Sequence, residues 1–317
     1  MPLGTNATTL STLETLLPKP VASQIMADAY GQSLIGRLAG TTPMPITGTS
    51  IAFATGEPVA GIVGEGELKP VIKQTHAVKS ATPIKAAALM YWSKEARQAN
   101  PVAYLNLLKN TARDAITRAI DMAVIHGKNA LTNSPISGVE YITQSMNTVE
   151  LGTTDAAHGG ITGDILAAYD LVVQDGGDVT GFAADPLTRT KLMRATYTDG
   201  SPIYTSGNAG RGGVNLADPM GDLLGLPVAY GKAVSGKIGT VADTNVRLIG
   251  GKFKDAIKFG YVENITFRQT DTGIVQDGDV QVNLFQQNME AFIVEAQFGW
   301  IIKNVDEFAL LKEPAGE

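Results

Sequence analysis

Between residues 101 and 126 apolar side chains return at steps of three and four: Leu105, Leu108, Ala112, Ile116, Ala119 and Ala123. That spacing predicts one long amphipathic helix. Asn100 and Pro101 suit its N-cap and first position, and Gly127 suits its stop. At about 1.5 Å per residue the rod is roughly 39 Å long. Asp114 and Arg118, a turn apart, pair on the side that the stripe leaves wet.

After residue 247 the period falls to two. VRLIGGKF, AIKFGYVENITFRQ, VQVNLFQQ and MEAFIVEAQFGWIIKNV read as strands. Phe292, Val294, Ala296, Phe298 and Trp300 share one face of the last. Asp277-Gly278-Asp279 is a hairpin turn between two of these runs rather than a calcium-ligand set. Between 153 and 247 helix and strand signals alternate. ITGDILAAYDLVVQDGG predicts a capped helix ending at glycines, GFAADP a short strand, and PLTRTKLMRATY a helix opened by Pro186. GDLLGLPVAYG reads as a strand edge.

The first 45 residues lack the apolar content of a domain. VASQIMADAYGQSLIGRLA carries one helical signal, with Val21, Ile25, Met26, Tyr30, Leu34 and Leu38 in step and Gly31 interrupting. Proline-bearing polar segments flank it, which makes an extended arm with a short helix. IAFAT and VIKQTHAVKSATPIKAAALMYW then read as the two strands of a hairpin. Between them lies GEPVAGIVGEGELKP, whose glycines make a long mobile tip. Such a hairpin needs another surface to lie on.

The composition narrows the chemistry. The chain has 317 residues, 44% of them hydrophobic and 18% charged, so it is globular. A net charge of −6 argues against a dedicated nucleic-acid binder, which is normally basic. Cysteine is absent, which removes disulfides, thiolate metal sites and cysteine nucleophiles. His76, His126 and His158 form no zinc motif, no G-x-S-x-G occurs, and the loop 207–213 lacks the Gly-Lys-Ser/Thr of a phosphate cradle. No apolar run approaches a membrane span and MPLGTNATTL has no signal-peptide pattern, so a soluble cytoplasmic product without cofactor or metal is expected.

The order of elements resembles the major capsid proteins of tailed double-stranded-DNA bacteriophages, with the Hong Kong 97-like α+β fold. EGELKP, ALMYWSKEARQANP, DLLGLPVAYG and NLFQQNMEAFIVEAQFGWIIKNVDEFALL carry the resemblance, in that order and spacing. It implies an N-terminal arm at 1–48 and an extended loop at 49–92. It also implies a peripheral domain at 93–152 and 248–317, with a spine helix at 101–126, and an axial domain at 153–247. The implied function is a structural one: self-assembly into the hexamers and pentamers of an icosahedral shell around packaged DNA, in the cytoplasm of a bacterial host. Portal and decoration proteins are the implied partners. Relatives often carry a cleaved N-terminal segment that guides assembly. None is expected before this arm, so a separate scaffolding protein is the expected substitute. An encapsulin shares the fold and is the alternative. A metabolic α/β enzyme built on 153–247 is a rival from another class.

In one branch of that family a loop lysine of one subunit forms an isopeptide bond with a neighbour's asparagine, helped by a glutamate. The resemblance places these roles on Lys69 of ELKP, Asn288 of NMEAFIVE, and Glu295. The attacking amine must be neutral, so the lysine has to lose its proton. Phe292, Ile293, Val294 and Phe298 suggest an apolar setting that would raise the pKa of Glu295 and suit it as a base. Residues seven apart on an unbroken strand face opposite ways, so the chain has to bend between Asn288 and Glu295.

Overall fold

A short helix, α1 (Leu34–Leu38), and a two-residue strand, β1 (Gly40–Thr41), lead into a hairpin of β2 (Thr49–Thr55) and β3 (Thr75–Ala81). β4 (Ile84–Ser93) runs directly into α2 (Lys94–Ala99), and the spine helix α3 (Pro101–His126) follows. β5 (Thr148–Glu150), α4 (Ile161–Gln174), β6 (Gly181–Ala184), α5 (Pro186–Arg194), β7 (Met220–Leu223) and β8 (Leu226–Tyr230) make the middle of the chain. The last part holds β9 (Val246–Gly251), α6 (Phe253–Ala256), β10 (Ile257–Tyr261) and β11 (Thr266–Thr270). β12 (Ile274–Asp277), β13 (Val280–Asn283), β14 (Met289–Ile302) and β15 (Phe308–Lys312) complete it. This computed structural model describes residues 32–41, 43–55, 60–69, 71, 75–99, 101–204, 220–237, 241–262 and 266–314. Most of the helix expected over 21–39, and the glycine-rich loop 207–213, lie outside them.

Two large sheets organise these elements. One is centred on β14, which pairs with β4 along one edge and with β10 and β11 along the other, while β1 extends the sheet beyond β10. The other has six strands in the order β5-β15-β9-β6-β8-β7. Its inner strands β6 and β9 are buried along their whole length, because helices cover both faces. On one face Leu34, Ile35 and Leu38 of α1 and Ile120 and Val124 of α3 share a core with Phe259, Val294 and Phe298 of the first sheet. On the other, Ile165, Ala168 and Val172 of α4 pack with Leu192 of α5 and Phe182 of β6. The boundary expected at 247/248 falls within β9, so one sheet runs through both of the expected domains.

Four sequence expectations change. The returning strand of the hairpin is broken at Thr82-Pro83: β3 pairs with β2 and β4 leaves to pair with β14. Pro83 has no N–H to continue a ladder. GDLLGLPVAYG is a complete hairpin of β7 and β8, turned by Leu224 and Gly225 at φ 55° and 81°. Positive φ at both turn positions matches the twist of the flanking strands. Helix α4 has Gly160 at its N-cap and so no side-chain cap. Its Asp164 instead accepts from Gly152 N at 2.7 Å and Thr154 N at 3.0 Å, fastening the preceding loop. The structure pairs Asp114 with its neighbour Arg113 at 3.2 Å, where the spacing suggested Arg118.

The apolar stripe of α3 also differs in detail. It runs Leu108, Ala112, Ile116, Ile120 and Ala123, with Ala119 half-buried beside it. Each four-residue step turns about 40° around the helix, so the stripe drifts and leaves Ala119 at its edge. From Asp121 to His126 every residue is buried, because the helix end is surrounded. Ile120→Ala should therefore lower thermal stability by about 2–5 kcal/mol per chain, while Ala119→Leu should cost far less. Equal losses from both, by calorimetry, would mean the stripe runs through Ala119.

Candidate functional site

The hairpin projects from a fixed base. Lys79 Nζ meets both carboxylate oxygens of Glu140 at 2.8 and 2.7 Å and donates to Ile302 O at 3.0 Å. Met44, Ala81 and Ile301 pack together beside it. Beyond this base residues 60–69 are all exposed. The tip is folded on itself: Gly66 has φ 83°, Glu67 N donates to Gly64 O at 3.2 Å, and Gly64 N donates to the Glu67 carboxylate at 3.0 Å. Lys69 follows this turn, next to the exposed Leu68.

Asn288 stands at the entrance to β14. Its φ is 52° and the residue is exposed, but β14 runs unbroken from Met289, so the bend expected between Asn288 and Glu295 does not occur within the strand. Its backbone oxygen accepts from Lys94 N at 3.0 Å, and its side-chain Nδ2 donates to Glu95 Oε1 at 3.2 Å. Both partners open α2, which the β4–β14 register places beside the start of β14.

Glu295 departs from the expectation. Phe292, Val294 and Phe298 are buried under β14, and strand alternation turns Glu295 to the opposite face. There it forms an ion pair with Lys85 at 2.7 Å. Seven residues of strand separate it from Asn288, about 23 Å at 3.3 Å per residue. One chain therefore brings Asn288 to Glu95 and not to Glu295.

Two buried titratable groups tie the arm and the middle of the chain to the spine helix. Asp121 takes Ser33 Oγ–H at 2.6 Å, Leu34 N–H at 3.2 Å and Ile35 N–H at 3.4 Å, so a side chain of α3 fastens the first turn of α1. Burial pushes the Asp121 carboxyl up to about 6, against these donors and the Arg37 charge. His126 Nε2 lies 2.9 Å from Ala233 O and 3.1 Å from Val234 O, which makes it a donor to the loop after β8. Burial pushes this imidazole down. The sequence signal for Asp121 was an acid flanked by Ile120 and Met122 in the helix, and the pattern reading passed over it. Among the described residues no group of three metal-ligating side chains lies together.

Residues 14–312 match the model of the phage capsid family. The chain belongs to the phage capsid family. It is 28% identical over 296 residues to a probable major capsid protein of Mycobacterium phage D29, covering 92% of this chain and 87% of that protein. It is also 28% identical over 313 residues to its counterpart in Mycobacterium phage L5, covering 95% and 90%. A solved structure from Gordonia phage Cozz superposes with a TM-score of 0.72 at 28% identity, over 90% of this chain and 87% of that one. This phage capsid protein thus has a mixed α+β fold similar to those of solved phage capsids.

The Asp121 contact generates a pH dependence. The folded carboxyl keeps its proton up to about 6, against 3.8 for the free group, so the folded state binds more protons between those values. The resulting stabilisation is full below the lower value and is lost as pH rises through the upper one. Lowering the pH from 7 to 4 should stabilise the wild type relative to Asp121→Asn by on the order of 2 kcal/mol. Thermal unfolding across that range checks it, and parallel curves would remove Asp121 as the titrating group.

Proposed function

We propose that this phage capsid protein is the major shell subunit of a virion, with the Hong Kong 97-like division into N-arm, extended loop, peripheral and axial parts. Its copies form hexamers and pentamers of an icosahedral shell that encloses packaged double-stranded DNA. Assembly takes place in the bacterial cytoplasm with a separate scaffolding protein and a portal at one vertex. The observation that carries this reading is the family match over nearly the whole chain. The hairpin supports it, because Ile62, Leu68, Val71 and Val78 are exposed apolar residues that a neighbouring copy can cover. The phage relatives favour this reading over an encapsulin. The acidic net charge of −6 suits a wall that confines DNA without adhering to it.

Lys69 of one copy and Asn288 of another then form an isopeptide bond in the mature shell. The neutral Nζ attacks Cγ and gives up one proton, Nδ2 takes a proton as the Cγ–Nδ2 bond breaks, and ammonia leaves with the electron pair of that bond. Both residues are exposed in the single chain, so a partner copy can reach each of them.

Deleting 56–68 should leave a folded body that makes no stable shells by electron microscopy. Normal particles from that deletion count against the role of the loop. Boiled mature wild-type particles should give high-mass ladders on a denaturing gel, lost in Lys69→Ala. A single wild-type band near 33 kDa would refute the cross-link.

A further inference from the structure

The fold places one carboxylate on the reacting amide of Asn288, and it is not the one expected from sequence. β4 and β14 are paired so that Ser93 stands opposite Met289. The residues just beyond this pair, Lys94-Glu95 on one side and Asn288 on the other, are thereby brought together although they lie far apart in sequence. Lys94 N–H holds the Asn288 carbonyl at 3.0 Å, and Glu95 Oε1 lies 3.2 Å from Asn288 Nδ2. An ionised carboxylate only accepts hydrogen bonds, so the amide nitrogen faces Glu95 and the amide oxygen points away from it. The oxygen that gains negative charge during attack is therefore kept off the Glu95 carboxylate, and the nitrogen that must leave is kept on it. Asn288 and Glu95 are both exposed, which leaves the Cγ open to a lysine from another copy. Nearby acids are otherwise engaged: Asp271 pairs with Lys94 at 3.1 Å, and Glu290 is buried and accepts from Gln269 at 3.0 Å.

We propose that Glu95 is the catalytic acid–base of the cross-link, acting on Asn288 of its own chain. This rests on the Lys69–Asn288 bond proposed above. As the Nζ lone pair forms the new bond to Cγ, the attacking nitrogen becomes positive and gives a proton to the Glu95 carboxylate. Glu95 passes that proton to Nδ2 as the Cγ–Nδ2 bond breaks. Ammonia departs and the carboxylate is regenerated, so amine and amide become secondary amide and ammonia with no other reagent. Glu295 of the same chain cannot serve, being seven residues along β14 and paired with Lys85.

The test compares mature particles of wild type, Lys69→Ala, Glu95→Gln, Glu95→Ala and Glu295→Gln, with assembly checked first by electron microscopy. Bond formation is followed over time by denaturing gel and by mass spectrometry of the peptide joining 69 and 288. Glu95→Gln keeps the shape of the side chain and should slow the bond by about 100-fold. Added formate should restore much of the rate in Glu95→Ala, because a small carboxylate fits the space the side chain vacates. A wild-type rate in Glu95→Gln overturns the role of Glu95 and leaves the cross-link standing. A slow Glu95→Ala that formate does not rescue makes Glu95 a structural contact and overturns its catalytic role. Loss in Glu295→Gln alone assigns the base to Glu295 of another copy. Wild-type particles with no bond overturn both readings together.

Discussion

Strand β14 is the constraint from which the other elements take their places. A long buried strand has donors and acceptors on both edges, and each must be paired. One edge is filled by β4 from Met289 to Phe298. The other is divided between β11, at Ala291–Glu295, and β10, at Phe298–Ile302. Where the division falls, Val262 N–H closes the gap by donating to Gln297 O at 2.9 Å. The hairpin rests against the far end of this strand through Ala81 and Ile301, the spine helix packs on its buried face, and Asn288 stands at its entrance. A shift of register by one residue would turn Phe292, Val294 and Phe298 outward and undo all three relations.

The spine helix is the second point of attachment, and it works through polar contacts as well as apolar ones. Its last residues are surrounded, so any polar group there has to find a partner inside the protein. Asp121 finds the first turn of α1, and His126 finds the carbonyls after β8. These bonds fix where the arm and the middle of the chain meet the helix. Apolar packing alone specifies that position less sharply, because hydrophobic contact is non-directional. Burying a carboxylate is costly even with three donors, which is why its affinity for a proton rises.

The residues of the proposed cross-link are divided between surfaces in a way that suits chemistry between copies. Lys69 belongs to the exposed tip and Asn288 to the body, and the two are positioned by unrelated elements. On the proposed reading a single chain holds an electrophile with its acid–base but meets its nucleophile only in the shell. The bond then forms only after assembly has set the neighbours, because a free subunit lacks the proximity the reaction requires.

The sequence by itself determined the elements whose stabilising contacts are local or periodic. The 26-residue spine helix, the helix opened by Pro186, the turn at Gly278 and the alternation of β14 were all legible, since each follows from backbone propensity or the period of burial. Lys69 and Asn288 were legible as candidates through the resemblance. Only the tertiary structure decided the rest. The break between β3 and β4, the pairing of Asp121 with α1, the capture of Glu295 by Lys85 and the contact of Glu95 with Asn288 join segments that no local pattern relates. Which face a charged residue takes, and whom it meets there, depends on sheet register and helix rotation. Those are set by packing across the whole chain, and a one-dimensional pattern does not encode the partner.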